Sequence, residues 1–135
     1  MDFDYSDEQQ LLRDSVERFV REQYAFDTRR GIVASECGFS ARNWQLFAEL
    51  GWLAVPVAED DGGLGGNLTD LAILFEQFGR GLVVEPYLAT LVLGAGLVSE
   101  LGSLVQRESM LPAKKYPSGQ SSSMTVSMPL ISMTL

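Results

Sequence analysis

Apolar residues recur at helical spacing along several stretches of the chain, and most of these stretches open and close on residues that start and stop helices. Leu12, Val16, Phe19, Val20 and Tyr24 make one face of a helix predicted over 7–24. Ser6 with Gln9 three residues on forms its capping box, and Asp7 and Glu8 sit where carboxylates favour the positive end of the helix dipole. Ser40 caps a second helix, 41–50, whose buried stripe is Trp44, Phe47 and Leu50. Gly51 stands where a left-handed residue ends a helix, and Trp52 is placed to pack back on Phe47. Asn67 caps a third helix with Asp70 in its first turn. Its core face is Leu71, Leu74, Phe75, Phe78 and Leu82, and Gly79 and Gly81 end it. Pro86 opens a fourth helix, 86–101, with Gly102 as its stop. Ser103 and Gln106 box the start of a short fifth, 104–112, anchored by Leu104 and Leu111. Residues 25–39 carry no long period and read as a loop with room for a helical turn. Only Trp52–Val57 hints at a strand, so the expected fold is all-α, a helical bundle of four to five helices.

The fourth helix is unusual, because no charge occurs in the 14 residues from Pro86 to Ser99. That run is too short to span a membrane and suits a helix buried on most sides. Gly94 and Gly96 each cost a helix about 1 kcal/mol relative to Ala. Such a cost is tolerated where something approaches the backbone closely, either a neighbouring helix or a bound apolar chain.

The stretch "AVPVAEDDGGLGGNLTDLAILF", residues 54–75, has the outline of a phosphate-binding turn. Its details argue against one. A dinucleotide fingerprint needs a third glycine where Leu68 stands, and a Walker loop needs a lysine that is missing. Glu59, Asp60 and Asp61 directly before the glycines raise the cost of holding a phosphate. A flexible connection between helices is expected here, with the three carboxylates in a solvated turn.

Composition narrows the chemistry further. The 135 residues suffice for one modest domain. A net charge of −8 disfavours nucleic acid and anionic membrane surfaces. The chain has no histidine, which removes Ser-His-Asp and Cys-His sites and leaves zinc without its commonest ligand. Cys37 is alone, with Glu36 rather than a cation beside it, so neither a disulfide nor a reactive thiol is expected. The start "MDFDYSDEQQ" is acidic and polar, unlike a signal peptide, and a cytoplasmic setting is expected. No catalytic and no metal-binding residue is assigned.

Three segments together resemble the N-terminal helical domain of acyl-CoA dehydrogenases: "YSDEQQLLRDSVERFVRE", "NWQLFAELGWLAVPVAEDDGGLGGNLTDLAILFEQFGRGL" and "LGSLVQRESMLPA". The wording "VVEPYLATLVLGAGL" is similar to bacterial members, some of which work as paired unlike subunits. The resemblance implies an FAD-dependent α,β-dehydrogenation of acyl-CoA thioesters. It also implies an oligomer or a heteromer with related subunits. In the family a Glu carboxylate takes the α-proton, the β-hydrogen leaves as hydride to the flavin, and the N-terminal helices pack beside the acyl chain. By spacing, Ala89, Leu93 and Gly96 on the fourth helix fall at the substrate wall.

The match runs to about residue 113, giving a family-like domain over 1–113 and a Ser/Met-rich tail over 114–135. In that tail the pattern departs from the family. No charged residue follows Lys115, and nothing there resembles the family's β domain, flavin segment or base-bearing bundle. The expectation is a truncated or frame-shifted fragment, inert alone, with a poorly ordered tail. The other expectation is a standalone helical module that binds an acyl chain or a partner protein through the apolar fourth helix.

Overall fold

The computed structural model describes residues 4–111, and the expectations for the tail lie outside the described residues. Among the described residues the regular elements are all helical, without strands. They form α1 (Asp7–Gln23), α2 (Phe26–Val33), α3 (Ala41–Glu49), α4 (Leu68–Gly81), α5 (Gly96–Leu101) and α6 (Leu104–Met110). Single 3₁₀ turns occupy Trp52–Ala54 and Glu59–Asp61, and a π-helical segment, Leu88–Ala95, runs straight into α5. The described residues divide into two compact units, one from residues 4–41 plus 66–85, the other from 42–65 plus 86–111.

The first unit is organised by α1 and α4. Ser6 and Gln9 form the expected capping box, each bond 3.2 Å long. Asn67 caps α4 by accepting from the Thr69 and Asp70 amides at 2.7 and 3.1 Å. Asp70 closes that box on the Asn67 amide and also accepts from Gln9 Nε2 at 2.9 Å. At the far end the Tyr24 hydroxyl donates to Glu85, again 61 residues apart. A constant offset at both ends means that α1 and α4 run parallel. Between the ends Val16 and Phe19 of α1 are buried, as are Ile73, Leu74, Gln77 and Phe78 of α4. Each large apolar side chain so buried contributes about 1.5–3 kcal/mol. A Cβ on Gly81 would lie 2.6 Å from Val20 Cγ1, so a side chain there would clash with α1. α4 continues through Gly81, and Leu82 takes the left-handed cap at φ 49°.

The sequence reading missed α2, and the reason is physical. None of its residues is buried, and Phe26 and Val33 are exposed. It therefore carries no apolar stripe for a periodicity argument to find.

In the second unit α3 buries Asn43, Trp44 and Phe47. Gly51 is left-handed at φ 78°, and the Trp52 ring packs on Phe47 with centroids 5.1 Å apart, as the sequence implies. The hint of a strand at Trp52–Val57 is not realised. The Ala54, Val57 and Ala58 carbonyls, free for a ladder in a strand, accept instead from amides of the glycine loop that follows.

Candidate functional site

The glycine loop is a closed knot rather than a cradle. The Gly62 amide donates to the Glu59 carbonyl (2.8 Å) and Gly63 to Ala58 (2.9 Å). Leu64 donates to Ala54 and Gly65 to Val57, both at 2.8 Å. Phosphate loops work by aiming successive amides at the anion. Here four successive amides point into the protein. Gly62 and Gly65 adopt φ of 82° and 61°, which glycine reaches without strain. The expectation of a merely flexible connection is corrected to a tightly bonded one.

The acidic run before the loop is not uniformly solvated either. Glu59 and Asp60 are exposed, but Asp61 is buried. Its Oδ2 accepts from Arg107 Nη2 of α6 at 2.7 Å and from Ser99 Oγ of α5 at 3.4 Å. The hydrogen bond to Asp61, then that carboxylate's charge, hold the Arg107 guanidinium above its ordinary pKa, with smaller help from the Asp60 and Glu100 charges. The pair ties the loop to the last two helices across 46 residues of sequence, which no local pattern discloses. Both of these contacts of Asp61 hold the loop against α5 and α6. Glu85 in the first unit is comparable: its carboxylate accepts from the Tyr24 hydroxyl and, at 3.4 Å, from the Ser40 amide. Among the described residues no group of three acidic, His or Cys side chains is arranged to hold a metal ion, and no helix is long and apolar enough to cross a membrane.

What remains open is one side of the segment from Leu88 to Val105. The inner side is formed by Tyr87, Leu91 and Ala95, all buried. Burial pushes the Tyr87 phenol far above its ordinary pKa, so it stays protonated and donates to the Trp52 carbonyl at 2.7 Å. The outer side carries Leu88, Ala89, Leu93, Leu97 and Leu101, all exposed, and α6 adds exposed Leu104 and Val105. Leu93 is 62% and Leu101 78% exposed. The uncharged run that predicted burial on most sides is thus covered on one side only. Exposed apolar side chains grouped on one side of a segment make it a candidate contact surface.

The π-helical turn shapes that strip. In the wider π turn the i+4 and i+5 neighbours fall on either side of a residue, so Ala89 and Leu88 both flank Leu93. Gly94 suits the wide turn, since a Cβ there would meet the Ala89 carbonyl oxygen at 3.2 Å. Segments of this type concentrate at functional sites. Of the three residues assigned to a substrate wall, Ala89 and Leu93 share the open side, while Gly96 is half-buried and Leu97 continues the strip in its place. A Cβ on Gly96 would meet nothing within 4 Å among the described residues, so none of them requires a glycine there.

Comparison with known proteins gives these features a context. Residues 6–114 match the family described as acyl-CoA dehydrogenase, N-terminal domain. The chain is similar to the acyl-CoA dehydrogenase IpdE2 of Mycolicibacterium smegmatis, 35% identical over 95 residues, covering 70% of this chain and 30% of that protein. Against IpdE2 of Mycobacterium tuberculosis it is 36% identical over 85 residues, 62% of this chain and 27% of the relative. Against the probable acyl-CoA dehydrogenase YngJ of Bacillus subtilis it is 28% identical over 113 residues, 82% of this chain and 29% of the relative. The chain thus spans less than a third of the length of these curated relatives. No solved structure matches it significantly.

Proposed function

Because the chain belongs to the acyl-CoA dehydrogenase family through its N-terminal domain, we propose that it supplies the helical wall of an FAD-dependent acyl-CoA dehydrogenase and oxidises no acyl-CoA by itself. The observation that carries this reading is the family match over residues 6–114. The open apolar side of Leu88–Leu101 supports it, being the surface an acyl chain would lie along. In this reading Ala89 and Leu93 contact the chain, and Gly96, half-buried, borders that contact. In the complete family fold FAD accepts the hydride. The glycine loop of this chain does not fit the cofactor's pyrophosphate, because its amides are donated inward. No acidic side chain is assigned as base, and no step of the reaction is placed on this chain. Flavin, base and partner subunits, with a cytoplasmic setting, belong to the assembly in which such a wall works.

The purified chain tests this directly. It is expected to be colourless, without the flavin's visible absorption band, and to reduce no dye when given an acyl-CoA. A yellow preparation bleached by acyl-CoA would overturn the proposal. The second reading, a helical module that binds acyl chains unaided, is favoured by the same open strip and separates by calorimetry with a long-chain acyl-CoA. Where binding is measured, Leu93→Trp is expected to weaken it about tenfold, with the circular dichroism of the helices unchanged. Unaltered affinity would remove Leu93 from the wall.

A further inference from the structure

We propose that α6 is a strap, hinged at Gly102 and latched to the glycine loop by the Asp61–Arg107 pair, which opens while the rest of its compact unit stays folded. Burial is the first observation. α6 buries none of its own residues, whereas α3 in the same unit buries Asn43, Trp44 and Phe47. Segments with few buried apolar contacts open at lower cost than the core around them. The hinge is the second. A Cβ on Gly102 would lie 2.4 Å from the Val98 carbonyl oxygen, which already accepts the Gly102 amide at 2.9 Å, so only glycine passes this corner without a clash. Beyond it α6 starts afresh on its own capping box, with Ser103 Oγ accepting from the Gln106 amide at 3.3 Å and Gln106 Oε1 from the Ser103 amide at 2.9 Å. The helix can therefore swing as one piece without breaking its cap. The latch is the third. Arg107 Nη2 meets Asp61 Oδ2 at 2.7 Å, with the Asp61 side chain 8% and the Arg107 side chain 29% exposed. Arg107 Nε is buried without a hydrogen-bond partner among the described residues, so the pair lacks the two-bond fork through Nε that is hardest to part.

Ser99 Oγ also reaches Asp61, at 3.4 Å, and it lies on the α5 side of the hinge. Asp61 is thus fixed to α5, and Arg107 brings α6 to it. Past the far end of α6, buried Leu111 is a second point of attachment. With the strap shut, exposed Leu104 and Val105 follow on from Leu97 and Leu101. With it open, they leave that side. A partner that covers Leu101 and Leu104 together binds the shut form and tightens the latch. The strap is a property of the chain itself and does not depend on what the apolar side binds.

Amide hydrogen exchange on the full chain tests it. In the unmodified protein, amides of residues 108–111 are expected to be less protected than those of residues 46–50 in α3 by at least about tenfold. An Asp61→Asn/Arg107→Met variant removes both charges together, so neither is stranded in the interior. It is expected to speed exchange at 108–111 about tenfold more, with 46–50 unchanged within about twofold. Arg107→Lys keeps the charge and is expected to stay within about threefold of the parent at 108–111. Equal protection of the two segments in the unmodified protein overturns the proposal, because α6 then opens only with the whole unit. So does a double variant that leaves 108–111 unchanged or loosens 46–50 as much. Exchange in Arg107→Lys as fast as in the double variant overturns it too, since charge would then not be what holds the strap.

Discussion

Gly63→Ala is expected to lower the melting temperature by roughly 10–25 °C, the equivalent of about 3 kcal/mol in a chain of this size. The added Cβ would sit 2.0 Å from the Val57 carbonyl oxygen and 2.5 Å from Val57 Cβ. Neither can move aside easily. The Val57 carbonyl holds the Gly65 amide, Val57 itself is buried, and the flanking amides of 62–65 are all committed to the same short segment. Relieving the clash breaks several hydrogen bonds together, each contributing about 0.5–1.5 kcal/mol. The comparison that isolates the cause is Gly31→Ala. Gly31 lies inside α2 with nothing within 4 Å of a Cβ, and the same substitution there gains helix propensity. A Gly63→Ala protein melting within about 2 °C of the parent would show that the loop is not folded against Val57.

Phe47→Ala is expected to cost about 3–5 kcal/mol, comparable to much of the stability of a small domain. Phe47 is fully buried between the two tryptophans, with ring centroids 6.2 Å from Trp44 and 5.1 Å from Trp52. Removing the ring leaves a cavity that these large neighbours cannot collapse to fill. Water reaching them shifts the tryptophan emission to longer wavelength before heating begins. Chemical denaturation with fluorescence reads both effects. A loss below about 1 kcal/mol with unshifted emission would mean that Phe47 does not bridge the two rings.

The parts of the fold that were legible in the sequence are those fixed by residues three to five apart. The Ser6–Gln9 and Ser103–Gln106 boxes, the Asn67 cap and the Gly51–Trp52 ending are all of this kind, and all are present. The parts that were not legible depend on distant residues or on the absence of a buried face. Asp61 reads as one of three solvated carboxylates until Arg107 arrives from 46 residues away. Glu85 is an unremarked acid until Tyr24, 61 residues earlier, reaches it. The fourth helix was legible as apolar, but not as π-wound, because hydrophobic spacing does not report a shift from i+4 to i+5 hydrogen bonding. Of the three wall candidates, Ala89 and Leu93 are exposed and Gly96 is half-buried, a difference that spacing alone does not report.

The parallel arrangement of α1 and α4 also sets an order of events during synthesis. Antiparallel neighbours in a hairpin can pair as soon as the second helix emerges. Here α1 must wait for partners 61 positions downstream. At about 5–20 residues per second the ribosome takes roughly 3–12 s to deliver them. Throughout that interval Val16 and Phe19 are on offer to any apolar surface nearby, so α1 is open to chaperones and to premature association until α4 emerges.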